Sequence, residues 1–412
     1  MIERNDLANF LPSMKSGNEL IAALSVFPAY DDSIRFQNNA VRLMALSDLY
    51  NVYIPSQMSM EIYSKLYLAL LRSIQKKQTT ISVRQQYENR KAIKGQEYTG
   101  IIGGSDSFTI IGTSGIGKSS AISRAISLIT EHRIVETQNP YAKIIPSVTV
   151  QCPFDSSVKG LLLEILRKVD ELLDSKYYSN ALRARATTDM LVGSVSQVAL
   201  NHIGLLIVDE IQNVVNSKNG KSLIGSLTQL INNSGISICM VGTPECEQFF
   251  ESAMQLARRS VGLTYSAISY DDYFKAFCKV LFGYQYVREK TEITDVVTEW
   301  LYEHSSGVIS IVVSLIHDAQ EIAIINGTEK LNLETLNQAY EQRMKLLHSY
   351  INPSIVKNKS TSQTKKEESA MPSENKVDKT ISISALVAES KDKGLDLIDL
   401  LRQHFTIIEV VT

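Results

Sequence analysis

The string Gly112-Thr113-Ser114-Gly115-Ile116-Gly117-Lys118-Ser119 constrains this chain more than any other feature. It fits G-x-x-x-x-G-K-[ST], and its surroundings fit as well. Ser107-Phe108-Thr109-Ile110-Ile111 before it reads as a short buried strand, and Ala121, Ile122, Ala125, Ile126 and Ile129 after it keep helical spacing. Strand, glycine turn and helix in that order bring successive backbone N–H groups and a helix N-terminus to one point, where phosphate oxygens bind. Lys118 is then expected to reach the β- and γ-phosphates of ATP and Ser119 Oγ to ligate Mg²⁺, with Ser120 in the same cradle. A glycine-rich turn with no ligand is the competing reading, and it loses ground because motif and context match together.

A phosphate loop needs acids on a neighbouring strand. Leu205-Leu206-Ile207-Val208-Asp209-Glu210 supplies them: the apolar run buries the strand and the acids emerge at its carboxyl end, where open α/β sheets bind ligands. Asp209 is expected in the Mg²⁺ shell and Glu210 as the group that orients or deprotonates the attacking water. Two acids ending a strand could also be solvent-facing decoration. After the next apolar run, Thr243 stands where a polar side chain can reach the γ-phosphate or the water; the plainer alternative is a turn or cap threonine before Pro244. In Leu256-Ala257-Arg258-Arg259-Ser260, either Arg258 or Arg259 could act across a subunit boundary on the transferred phosphoryl group, against the alternative of a weak surface ion pair.

The rest of the chain organises around that centre. Apolar runs at 144–150, 203–208 and 236–241 alternate with helical patterns such as Val158, Leu162, Ile165, Leu166 and Val169, which predicts a parallel sheet between helices. With 412 residues, two to three domains fit. Residues 1–85 read as a mostly helical extension, with Ile62, Leu66, Leu70 and Ile74 on one stripe; 86–265 as the α/β core; 266–350 as a helical subdomain; and 351–412 as a polar linker and a short helix around Leu397–Phe405. Residues 357–380 carry no aromatic and are rich in Lys, Ser, Glu and Thr, so they are expected to be disordered. Basic residues from Arg72 to Lys94 face one acid, Glu88, and form either a solvated face or a phosphate-contacting edge. The 42 basic and 44 acidic residues leave a net charge of -2, which excludes a charge-only nucleic-acid binder but permits a local basic groove. The four cysteines form no C-x-x-C pair, and the N-terminus does not read as a signal peptide. No uninterrupted apolar run approaches the roughly 18 residues that span a bilayer. The expectation is a cytoplasmic bacterial protein without a membrane partner.

Taken together, the phosphate loop, the Asp-Glu strand end, a Gly-Thr sensor, an Ala-Arg-Arg segment and a trailing helical lid resemble an AAA+ P-loop ATPase. Three strings narrow the resemblance to the TnsC/TniB group, ATPase regulators of Tn-seven-like transposons: Gln151-Cys152-Pro153-Phe154-Asp155-Ser156-Ser157-Val158-Lys159-Gly160-Leu161, Ile203 through Asn213, and Ser305-Ser306-Gly307-Val308-Ile309. The resemblance covers about residues 85–345. It implies ATP-bound rings or filaments of this chain on double-stranded DNA, a link between a target-selector protein and a transposase, and hydrolysis that drives disassembly. It also implies backbone contacts to DNA at Lys159, with Ser156 and Ser157 as phosphate donors nearby, and a second contact among Arg183, Arg185 and Thr188. Many AAA+ lids carry an arginine just after the lid glycine. Val308, Ile309 and Ser310 follow Gly307 instead, and His304 and His317 do not read as substitutes. Two other classes stay open: a different AAA+ machine such as a helicase loader or initiator, which an appended winged-helix domain would favour, and a signalling ATPase that binds no DNA.

Overall fold

The protein is described by a computed structural model over residues 10–103, 107–131, 134–138, 141–252 and 262–345. Six strands form one sheet in the order β2-β3-β4-β5-β1-β6. They are β1 (Phe108–Gly112), β2 (Val135–Gln138), β3 (Tyr141–Gln151), β4 (Ile203–Asp209), β5 (Ser237–Gly242) and β6 (Leu263–Tyr265). β2 runs antiparallel to β3, and every other pairing is parallel.

Strand alternation divides the core into two layers. On β4, Leu206 and Val208 face one layer with α6 (Val158–Leu173), α8 (Thr188–His202) and α9 (Gly220–Ser234). Leu205 and Ile207 face the other, which is closed by α1 (Gly17–Leu24), α3 (Gln57–Lys77) and α5 (Lys118–Thr130). A central parallel strand buried on both sides has no polar face, which is why its sequence is apolar throughout. Between α3 and α8 runs α4 (Thr80–Ile93), and α2 (Asn39–Ala45) precedes α3; α7 (Tyr177–Arg183) and α10 (Glu247–Ser252) are short connectors.

A third apolar cluster belongs to the helices α11 (Asp272–Gly283), α12 (Asp295–Ser305), α13 (Ile309–Asn326) and α14 (Leu333–Arg343). α13 is long and apolar enough to cross a membrane by length and composition. Its Val312, Leu315, Ile316, Ala319 and Ala323 are buried in this helical cluster, so the apolarity serves a core.

The N-terminal residues join both bodies. Leu20 and Leu24 pack with Ile62 and Leu66 on the sheet, whereas Leu46, Leu49 and Val52 pack among the lid helices. Residues 10–85 are thus a strap built into two cores. Polar cross-connections fix it to the lid, among them Tyr30 Oη donating to the Gln285 carbonyl at 2.6 Å, Arg35 donating to the Val287 and Arg288 carbonyls, and the fully buried Arg42 forking onto Glu329 at 2.6 and 2.7 Å.

The basic stretch from Arg72 to Lys94 is spread over α3 and α4 and is partly spent on the fold. Lys77 is buried and donates to the Ala199 and Leu200 carbonyls at 2.6 and 2.9 Å, closing the C-terminal end of α8. Lys91 pairs with Glu88 at 2.7 Å. Lys77 and Lys91 are thus engaged within the fold, whereas Arg72, Arg84, Arg90 and Lys94 are exposed. The tail of residues 346–412, including Leu397–Phe405, lies outside the described residues.

Candidate functional site

The phosphate loop spans the turn from β1 into α5. Gly115 and Gly117 hold φ of +82° and +97°, a region that strains any side chain. Lys118 opens α5, and its Nζ donates to the carbonyls of Gly112 (2.5 Å) and Thr113 (2.9 Å), so the loop is wrapped around its own lysine. Burial lowers the Lys118 pKa, and the charges of Asp209 and Glu210 oppose that shift.

Asp209 ends β4 opposite Gln151 of β3. Its backbone carbonyl accepts from Cys152 N at 2.8 Å, and its carboxylate accepts from Glu210 N at 2.8 Å. Glu210 sits at φ +57°, a left-handed conformation uncommon for a residue with a side chain, at the point where the strand ends and a 3₁₀ turn, Ile211–Val214, begins. The Gln212 carboxamide of that turn donates to the Glu210 carboxylate. Gln212 was not singled out from sequence, yet it connects the acid to the next strand: a Cβ on Gly242 at the end of β5 would stand 3.1 Å from Gln212 Oε1.

Thr243 follows at the end of β5. Its Oγ1 is buried without a partner and makes no cap bond to the 3₁₀ turn Pro244–Cys246. The cap-threonine alternative is therefore not what this hydroxyl does. Gln212 Oε1 is likewise buried and unpartnered. The Thr243 hydroxyl can donate to a phosphate oxygen or pair with a water, and the Gln212 carboxamide oxygen can accept from a water, which would relieve the roughly 1–3 kcal/mol that each unpaired buried polar group costs. The donors available for Mg²⁺, the Ser119 hydroxyl and the Asp209 carboxylate, are hard oxygens, which is the set that ion prefers.

Beside the loop opens a cavity of about 700 Å³, within the usual range for a small-molecule site. Its walls come from four places: Gly115, Ser119 and Ser120 of the loop, Arg124 of α5, Tyr53 of the strap, and Ile309 and Val313 of the lid. Arg124 lies over the Tyr53 ring at 5.8 Å and is the single charged side chain among the lining residues. Neither Tyr53 nor Arg124 carried a sequence signal, because the strap reaches the cavity only through long-range packing.

The lid touches the loop directly: Ser310 N donates to the Gly115 carbonyl at 3.0 Å. Gly307 is required for this seat, because at φ +74° a Cβ would stand 1.9 Å from the Ile268 carbonyl oxygen. The position after the glycine holds Val308, so no lid arginine stands there. His304 stacks on Trp300 at 3.9 Å and bonds the Trp300 carbonyl, while His317 Nδ1 pairs with Asp318 at 2.8 Å. Both imidazoles are spent within the lid. His317, Asp318 and Glu321 place one ligand atom each within 4.8 Å of one another, but Asp318 is taken by His317, and Arg343 faces Glu321 at 3.3 Å. The four cysteines are free and buried; burial pushes the Cys152 and Cys246 thiols up to about 11, so neither is a nucleophile at neutral pH.

Residues 103–250 match the family model of an AAA domain. The phosphate loop and strands β1 to β5 lie within that match and fold as an AAA+ P-loop α/β domain, whereas β6 and the lid helices α11 to α14 lie beyond it. No curated protein matches the chain by sequence. Similar solved structures include the Aeropyrum pernix ORC1 protein in complex with DNA (14% identity, TM-score 0.40, 63% of each chain covered) and the ADP form of the Aeropyrum pernix ORC2 protein (14%, 0.41, 64% of this chain and 67% of that one). Drosophila ORC bound to DNA is similar at 12% identity and a TM-score of 0.40, over 96% of this chain and 83% of that one. The chain thus spans less than two thirds of the first of these.

The remaining sequence-derived candidates are distributed differently. Arg258 and Arg259 lie outside the described residues. Lys159 is exposed in the first turn of α6, but the two serines before it are committed to the fold. Ser156 is fully buried at φ +51°, donating to the Asn213 carbonyl, and Ser157 caps α6 by accepting from Gly160 N at 3.1 Å. Ser156 is thus sealed from any phosphate. Arg183, Arg185 and Thr188 are exposed around the α7–α8 junction.

Proposed function

We propose that this chain is an ATP-dependent regulator of DNA transposition that assembles with copies of itself on double-stranded DNA. The observation that carries the ATPase part is the convergence of Lys118, Asp209, Glu210 and the unpartnered Thr243 hydroxyl at one end of the sheet. Lys118 leaves its loop carbonyls for the β- and γ-phosphate oxygens. Ser119 and Asp209 would hold Mg²⁺, which when bound would neutralise phosphate charge. Glu210 takes a proton from the attacking water or fixes its direction, and Thr243 bonds the water or the γ-phosphate. Arg258 or Arg259 of a neighbouring copy completes the charge balance.

The DNA and transposition parts rest on the Gln151–Leu161, Ile203–Asn213 and Ser305–Ile309 strings and on exposed Lys159. In this reading Lys159, with Arg183, Arg185 and Thr188, meets phosphates rather than bases, so affinity is salt-sensitive and nearly indifferent to sequence. A target-selector protein meets the strap, where Phe36 and Met44 are exposed, and a transposase meets the tail.

Binding of the full chain to random-sequence duplex is the test, run with ATP, with ADP and without nucleotide. Wild type should bind only with ATP, Lys118→Ala should fail to bind, and Glu210→Gln should form longer-lived complexes. Absence of DNA binding at low salt, or binding indifferent to nucleotide, would overturn this reading in favour of a protein-only switch.

A further inference from the structure

Phe154 is 91% exposed, the most exposed of the large apolar side chains described. A single exposed apolar residue is ordinary. This one differs in being held rigidly and in its neighbours. It stands in the turn between β3 and α6, behind Pro153 and ahead of Ser156, whose N–H donates back to the Pro153 carbonyl at 2.9 Å. The turn is then stitched to the loop after Glu210. Ser156 Oγ donates to the Asn213 carbonyl at 3.0 Å, and Asn213 Nδ2 donates to the Cys152 carbonyl at 2.9 Å. Ser217 Oγ and Asn219 Nδ2 both donate to the Asp155 carbonyl, at 2.9 and 3.2 Å.

That stitching has a chemical consequence. It draws Lys218 and Lys221, both exposed, to the same edge as Phe154 and Lys159. The acid in the turn is Asp155, whose Oδ1 accepts from Ser157 N at 3.0 Å. An exposed aromatic ring on a fixed turn, with three lysines on the adjoining segments, is complementary to a duplex groove: apolar wedges enter between base steps while cations hold the flanking phosphates. We infer that Phe154 is a wedge that enters the minor groove of bound duplex DNA, and that Lys218 and Lys221 extend the phosphate contact begun by Lys159. The proposal rests on the DNA-binding reading above and adds to it a second loop and an apolar element.

The test uses the full chain, ATP, and a fluorescent random-sequence duplex, with a second duplex carrying 2-aminopurine to report unstacking. Wild type should brighten the 2-aminopurine. Phe154→Ala should bind about tenfold more weakly without brightening and with an unchanged salt slope, and Phe154→Leu should restore both. Lys218→Gln with Lys221→Gln should lower the slope of log affinity against log salt by about two. ATP turnover without DNA should match wild type in all three variants, which separates this surface from the folding of the site. If wild type binds no DNA, the underlying function fails. If wild type binds but Phe154→Ala matches it in affinity and brightening, the wedge is wrong and Phe154 faces something else, such as a neighbouring copy. If the double lysine variant keeps the wild-type slope, the second loop is not part of the contact.

Discussion

Glu210→Gln should reduce ATP turnover by about 10²–10⁴-fold while leaving nucleotide capture intact. The side chain keeps its shape, so the left-handed turn at φ +57° and the contact with Gln212 survive in form. What is lost is the ability to accept a proton from water. Lys118, Ser119 and the lid contact from Ser310 to Gly115 are untouched, and in the proposed function Lys118 and Ser119 serve nucleotide capture rather than proton transfer. Single-turnover hydrolysis alongside equilibrium nucleotide binding separates the two effects. Turnover within a few-fold of wild type would remove Glu210 from the role of base and shift attention to Gln212 and Thr243. A parallel loss of binding would instead mean that the substitution disturbs the end of β4.

How much of this centre the sequence showed depends on whether its parts are local. The phosphate loop and the Asp209-Glu210 strand end are contiguous strings, because each does its work with neighbouring backbone, and the structure holds them beside one another. The four central strands were visible as short apolar runs for the same reason. β2 and β6 were not: Val135–Gln138 is largely polar, and Leu263–Tyr265 is three residues long. α8 was missed for the opposite cause. Leu191, Val192, Gly193, Val195, Ser196, Val198 and Ala199 are all buried, so the polar stripe is only one residue wide, at Ser194, Gln197 and Asn201, and gives a weak period. Tyr53 and Arg124 meet across 71 positions of chain, and nothing in their own surroundings announces the cavity they share. The reading of Ser156 as a phosphate donor failed because a hydroxyl's partner depends on tertiary approach, here the Asn213 carbonyl.

The strap also carries the largest expected stability effect. Arg42 is fully buried and Glu329 is 18% exposed; the guanidinium forks onto the carboxylate and also donates to the Tyr286 carbonyl at 3.1 Å. Removing Arg42 leaves the Glu329 carboxylate with only the Arg288 guanidinium at 3.7 Å and the Arg288 N–H at 3.2 Å, so Arg42→Ala should cost about 3 kcal/mol. The fork from Arg42 is the first cause that holds the Glu329 pKa below its usual value. A carboxylate with a depressed folded-state pKa stabilises the fold above its unfolded pKa, roughly 4.3, and that contribution is lost as pH falls through the folded value. Wild type should therefore lose stability on acidification below about pH 4.3, and Arg42→Ala should show a shallower loss there. Urea unfolding across that range measures both. The double variant Arg42→Met with Glu329→Gln should recover much of the loss, since a packed neutral pair replaces a stranded charge. If Arg42→Ala costs under about 1 kcal/mol, the pair is no stronger than an exposed one, and the strap is held to the lid by Leu46, Leu49 and Val52 instead.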